Sequence, residues 1–253
     1  MQHMQDHHAI VTGASRGIGA AIASTLAARG ARVTLIGRDE PALRDVARGI
    51  GGTPRICDVA NPEHVERVFD AIVAETGPID ILVNNAGIAE SGPLSKSTCA
   101  QLDKLHAVNV RGVYACTLAA LPSMRKRPTG RIINIASSAG LRGYPYVGAY
   151  VATKHAVVGL TRAWALELAT TAITVNAVCP GYVDTPMLAR TLDTIEKTTS
   201  RSRDEARAMI EAHNPQGRLI TPDEVAAAVA YLCEPNSASI NGHCLALTGG
   251  EAL

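Results

Sequence analysis

The tightest constraint on the fold is rhythm: short β-branched runs alternate with longer helix-period segments along nearly the whole chain. The runs are Ala9–Val11, Arg32–Ile36, Arg55–Cys57, Ile79–Val83, Arg131–Ile135, Ile173–Val178 and Cys244–Leu247. Between them lie helical patterns from about Gly17 to Arg29, Pro41 to Arg48, Pro62 to Glu75, Thr98 to Met124, Ala149 to Ala169 and Pro222 to Cys233. Several open with Asp, Asn or Thr before Pro, as helix starts do. Alternation of this kind implies an α/β domain whose parallel sheet, of about seven strands, is covered by helices on both faces. Ligands of such sheets sit at the carboxyl ends of the strands. No linker or repeat interrupts the pattern, so residues 1–253 are read as one domain. Residues Pro186 to Gly217 break the rhythm; rich in charge, Thr and Ser and about 30 residues long, they are expected to form a substrate lid or binding loop.

Composition removes other classes. A formal charge of +1 lacks the basic excess that nucleic-acid phosphates demand. With 47% hydrophobic residues the chain can bury a core, and with aromatics at only 3% that core is built from Ala, Val, Ile and Leu. No apolar run is long enough to span a membrane and the polar start, Met1 to His8, is unlike a secretory signal, so a soluble cytoplasmic protein is expected. The six cysteines form no C-x-x-C pair and have no His at ligand spacing; buried free thiols and no metal site are expected.

The first run leads into Thr12-Gly13-Ala14-Ser15-Arg16-Gly17-Ile18-Gly19 and then an apolar helix. Gly13 permits a tight turn, and Gly17 and Gly19 let a helix N-terminus approach a pyrophosphate. The spacing is G-x-x-x-G-x-G and departs from G-x-G-x-x-G. By itself it is also compatible with a plain strand-to-helix turn. Four further segments agree with it: Asn84-Asn85-Ala86-Gly87 after the fourth run, Ser137 after the fifth, Tyr150-x-x-x-Lys154 in the helical segment that follows, and Pro180-Gly181 after the sixth run. Together the five motifs, spanning Ile10 to Gly250, resemble the short-chain dehydrogenase/reductase family. The resemblance implies a single Rossmann domain, a homotetramer and a nicotinamide cofactor. It assigns cofactor contacts to Gly13, Ser15, Arg16, Gly17, Ile18, Gly19, Asp58, Val59, Asn85, Ala86, Gly87, Tyr150, Lys154, Pro180, Gly181, Val183 and Thr185. Asp58 would accept from the adenine amine, or cap the helix at Pro62. Asn84 is read as shaping the cofactor cleft.

Choice of cofactor is a question of charge at the end of the second run, Leu35-Ile36-Gly37-Arg38. Gly37 stands where NAD-preferring relatives usually carry an acid, and Arg38 and Arg16 can grip an added phosphate, so NADP (NADPH) is expected over NAD. Asp39 could instead be the ribose acid; a cap for the helix near Pro41 is the preferred reading.

Tyr150 and Lys154 are four positions apart and share a helix face. A phenol titrates near pH 10, and a neighbouring ammonium is expected to lower that value. By resemblance, Lys154 also holds the nicotinamide ribose, Ser137 hydrogen-bonds the substrate oxygen, Tyr150 donates the proton as hydride reaches carbon, and Asn109 holds a water linking the lysine to solvent. Ser138 is the rival of Ser137. The substrate pocket is assigned to Ile88–Leu94, Ala139–Tyr146 and the stretch after Pro186, with Leu141, Tyr144, Tyr146 and Tyr182 as an apolar and phenolic lining. The stretch Ile173 to Gly181 is most similar to the branch of 3-oxoacyl-thioester reductases and polyketide ketoreductases. A small-molecule ketone or acyl thioester is therefore the expected substrate, and Arg125, Lys126, Arg127 and Arg131 could receive an acyl carrier protein or simply be a solvated helix end. Ring-alcohol, steroid or sugar-type substrates, and a dinucleotide sensor without chemistry, are the alternatives.

Overall fold

The computed structural model describes residues 4–251; Met1 to His3 of the N-terminal segment, and residues 252–253, lie outside the described residues. Seven parallel strands form one sheet in the order β3-β2-β1-β4-β5-β6-β7. They are β1 (His8–Thr12), β2 (Arg32–Gly37), β3 (Thr53–Ile56), β4 (Ile81–Asn84), β5 (Gly130–Ile135), β6 (Ile173–Pro180) and β7 (Cys244–Leu247). Among the described residues nine α-helices connect and flank them: α1 (Gly17–Ala28), α2 (Glu40–Ile50), α3 (Pro62–Thr76), α4 (Cys99–His106), α5 (Gly112–Met124), α6 (Gly148–Glu167), α7 (Pro186–Thr198), α8 (Arg203–Glu211) and α9 (Pro222–Cys233).

Strand side chains alternate between the faces, which divides the core into two layers. Ala9, Val11, Leu35, Ile81 and Val83 pack with Ile22 and Leu26 of α1, Leu43 of α2 and Val225 and Val229 of α9. Ile10, Ile36, Leu82 and Ile132 face the other way, onto Val65, Phe69 and Ile72 of α3 and Cys116 and Met124 of α5. The helix starts read from sequence are capped as their chemistry requires. Asp39, Asn61, Thr185 and Thr221 each accept a backbone N–H of the first turn. Pro54 is accommodated because β3 lies at the sheet edge.

Two expectations are corrected, and one is given its structure. Residues 186–217, expected as a substrate lid or binding loop, carry two helices, α7 and α8. Leu188, Leu192, Ile195, Ala206 and Ile210 form a small core of their own, and Ser202 with Glu205 builds a capping box. The threonines that suggested a loop bond back into α7, Thr191 to the Met187 carbonyl and Thr194 to that of Arg190. The expected continuous helix from Thr98 to Met124 is broken by a π-helical segment, Ala107–Arg111. Among the cysteines, Cys57, Cys116, Cys179 and Cys233 are buried, but Cys99 is exposed and Cys244 half-buried; all six are free.

Candidate active site

The strand order reverses between β1 and β4, and the glycine turn leaves β1 at that point. Two hydrogen-bond sets lock the turn to the loop after β4. Asn85 Nδ2 donates to the Thr12 and Gly13 carbonyls at 2.8 and 3.1 Å, while Thr12 Oγ1 accepts from the Asn85 and Ala86 amides, both at 3.0 Å. The fit is so close that a Cβ on Gly19 would lie 2.3 Å from the Gly13 oxygen, and one on Gly13, at φ +66°, 2.8 Å from Ala86 Cα. Asn85 rather than Asn84 therefore shapes the cleft. Asn84 is buried inside the sheet and donates to Thr117 and Asn134.

A cleft of about 1100 Å³ opens over the carboxyl ends of the strands, and every residue expected to touch the cofactor, Arg38 included, lines it. Its cradle fits a dinucleotide: the start of α1 lies at the floor, glycines remove side chains there, and Asp58 and Val59 stand at the far end. The two arginines are not free, however. Arg16 is ion-paired with Asp39, whose other oxygen caps α2, and Arg38 lies 3.7 Å from Asp58. Both pairs are exposed, so each guanidinium is tethered weakly and can turn to a phosphate.

At the other end of the cleft, β5 delivers Ser137 and α6 delivers Tyr150 and Lys154. Ser137 caps a short turn, its hydroxyl accepting from the Ala139 amide at 3.1 Å and donating to the Pro180 carbonyl at 3.5 Å. Lys154 is 5% exposed; its Nζ donates to the Ile135 carbonyl at 2.8 Å and lies 5.7 Å from the Tyr150 ring centroid. Burial dominates both groups, pushing the Tyr150 phenol up to about 12 against the opposing Ser137 hydroxyl, and the Lys154 ammonium down to about 8. Lys154, expected to lower the Tyr150 value, is not among the groups that set it here, because its ammonium is turned to the Ile135 carbonyl.

Tyr144 and Tyr182 line the cleft, and α7 adds Met187, Arg190 and Thr191. Leu141 does not line it. Its partly buried side chain packs instead against the cluster that includes Ala136, Val158 and Cys179. Tyr146 is 67% exposed and also lies off the cleft. Asn109 sits on the π-helical segment behind it, fully buried: Oδ1 accepts from the Ile88 amide and Nδ2 donates to the Ile88 carbonyl and to Thr153. Gly87 lies between Asn109 and Lys154; a Cβ there would be 3.4 Å from Oδ1 and 3.7 Å from Nζ. The side chain of Asn109 thus pins the loop after β4 beside the lysine. π-Segments of this kind are frequent at functional sites. Sequence reasoning missed Gln101 and Lys104 of α4, which also line the cleft, and Glu251, whose carboxylate reaches Tyr144. No spacing rule relates Glu251 to the loop it meets. The basic patch does not survive as drawn: Arg131 is buried and Arg127 is paired with Asp80 at 2.5 Å, which leaves Arg125 and Lys126 exposed.

Residues 13–251 match the family model described as "Enoyl-(Acyl carrier protein) reductase". The 3-oxoacyl-(acyl-carrier-protein) reductase of Vibrio cholerae serotype O1 is 39% identical over 244 residues, covering 96% of this chain and 96% of that protein. The chain belongs to the short-chain dehydrogenase/reductase family. Solved members superpose closely. An actinorhodin polyketide ketoreductase variant with NADPH gives a TM-score of 0.93 at 40% identity, over 100% of this chain and 98% of that one. A 3-ketoacyl-(acyl-carrier-protein) reductase from Brucella melitensis complexed with NADH gives 0.89 at 32%, over 98% and 99%. As a short-chain dehydrogenase/reductase, the chain is an oxidoreductase with a single-domain Rossmann-like fold. Among the described residues no group of His, Cys, Asp and Glu could hold a metal ion, and no helix is long and apolar enough to cross a membrane.

Proposed function

We propose that this enzyme reduces the ketone of a 3-oxoacyl thioester or a related apolar substrate with NADPH. The observation that carries the reading is the convergence of Ser137, Tyr150 and Lys154 at one end of a cleft whose other end is a glycine cradle flanked by two arginines. The glycine turn and the start of α1 would hold the pyrophosphate, Arg16 and Arg38 the added phosphate, and Val183 and Thr185 the nicotinamide carboxamide. The bound dinucleotide supplies hydride to the carbonyl carbon. Ser137 holds the substrate oxygen, and the Tyr150 hydroxyl gives its proton to that oxygen as it becomes an alkoxide, so the product is a secondary alcohol. A phenol that keeps its proton to high pH suits this donor role. Lys154, still charged at neutral pH, stabilises the tyrosinate left behind and binds the ribose hydroxyls.

The relatives' ketoacyl substrates support the substrate class, and the cleft beside Tyr182, where α7 contributes Met187 and Thr191, offers room for an acyl chain. The reading includes a single domain, a homotetramer, a cytoplasmic setting, and delivery of the thioester on an acyl carrier protein. The test is a panel of ketones and 3-oxoacyl thioesters with NADPH absorbance as readout. Oxidation of NADPH by a 3-oxoacyl thioester is expected; no turnover of any ketone would overturn the proposal.

A further inference from the structure

The last described residue reaches back to the substrate half of the cleft. Glu251 Oε1 lies 2.7 Å from the Tyr144 hydroxyl, which is also 2.9 Å from Ser138 Oγ. Arg142 donates to the Glu251 carbonyl at 2.9 Å and its guanidinium lies 5.2 Å from the centre of the Tyr144 ring. Glu251 Oε2 borders Gly181, where an added Cβ would come within 3.3 Å of it. Tyr144, Ser138 and Gly181 all line the cleft, whereas Glu251 stands behind them.

A phenol has one hydrogen to donate. Of its two neighbours the carboxylate is the stronger acceptor, so Tyr144 donates to Glu251 and the Ser138 hydroxyl donates to the phenolic oxygen. That leaves the oxygen with acceptor capacity and no hydrogen for the cleft. We propose that Glu251 is a positioning residue that fixes Tyr144 as an acceptor-only specificity residue, which recognises a hydroxyl or amide N–H that the substrate carries in addition to its ketone. Burial pushes the Tyr144 phenol up to about 12, so this polarity holds through the working pH range. The inference rests on the ketone reduction proposed above and narrows its substrate.

Two matched pairs test it and separate the two kinds of donor: a hydroxyketone against its methyl ether, and a 3-oxoacyl N-acetylcysteamine thioester against its N-methylated amide. Each ether or N-methyl analogue keeps the shape nearby but lacks the hydrogen. Wild-type kcat/KM is expected to favour the donor-bearing member of at least one pair by about tenfold, the scale of a single buried hydrogen bond. Glu251→Leu frees the phenol hydrogen, and Tyr144→Phe removes the acceptor, so in both variants the ratio should fall toward one. NADPH titration by fluorescence identifies variants that remain folded, and Ser138→Ala provides a milder perturbation that should reduce the ratio without abolishing it. Ratios near one for both pairs in the wild type, or a wild-type preference unchanged in folded Glu251→Leu, would overturn the inference while leaving ketone reduction intact. No turnover of any of the four compounds would overturn the proposed reaction and this inference with it.

Discussion

Replacing Gly19 by Ala adds one methyl group at the point where the glycine turn, β1 and the loop after β4 meet. The new Cβ would stand 2.3 Å from the Gly13 oxygen and 2.5 Å from Asn85 Nδ2. An ordinary carbon–oxygen contact needs about 1 Å more, and the obstructing carbonyl is backbone, so the turn itself must shift. Overpacking of this kind costs about 1–3 kcal/mol. Displacing Asn85 also weakens its two hydrogen bonds to the Thr12 and Gly13 carbonyls, at about 1 kcal/mol each. The sum, about 3–5 kcal/mol, corresponds to a fall of about 6–20 °C in Tm for a chain of this size. Because the shift occurs in the cradle, NADPH affinity should weaken by more than about tenfold. Gly49→Ala is the internal control: it lies in α2 with no atom within 4 Å of the added Cβ, and should stabilise by about 0.5–1 kcal/mol without changing cofactor affinity. Urea unfolding and fluorescence titration read both variants. A Gly19→Ala protein with wild-type midpoint and wild-type NADPH affinity would refute the packing argument.

Lys154→Met should abolish activity yet stabilise the protein. The depression of the ammonium from 10.5 to about 8 equals about 3 kcal/mol, of which about 1 is returned by orphaning the Ile135 carbonyl. The sign follows from protonation. Below pH 8 the buried amine is charged in folded and unfolded chains alike and its burial cost is fully present; from pH 8 to 10.5 the folded chain holds fewer protons, so wild-type stability recovers. The variant's advantage is therefore expected at pH 7 and should fade toward pH 10.5, as measured by urea midpoints; a destabilised variant at pH 7 would contradict it. Arg38→Ala should raise the KM for NADPH by about 10–100-fold, the scale of one charge-assisted phosphate contact, with the KM for NADH nearly unchanged. Equal effects on both cofactors in steady-state assays would remove Arg38 from phosphate recognition.

The fold was legible because its determinants are local. Short continuous apolar runs such as Ile81-Leu82-Val83, buried on both faces of a parallel sheet, and caps such as Asn61 before Pro62, are set by neighbours in sequence. The helical content of the stretch holding α7 and α8 was not legible, because its helices are short and Thr-rich, and bury their apolar side chains mainly against each other. At the site, the helical spacing of Tyr150 and Lys154 placed both on one face, and the order of motifs brought in Ser137. What the sequence could not give were long-range polar partners: Asp39 holding Arg16, Asp80 holding Arg127, and Glu251 behind Tyr144. Leu141 was misplaced for a related reason, since Val158 and Cys179 of the cluster it packs against are distant in sequence.

The account stands or falls on the Tyr150 hydroxyl as proton donor, and Tyr150→Phe removes that oxygen while leaving the ring. Turnover of a ketone that the wild type reduces should fall by at least about a hundredfold, with NADPH affinity within a few-fold of wild type. Near-normal turnover in the phenylalanine variant would contradict the assignment outright.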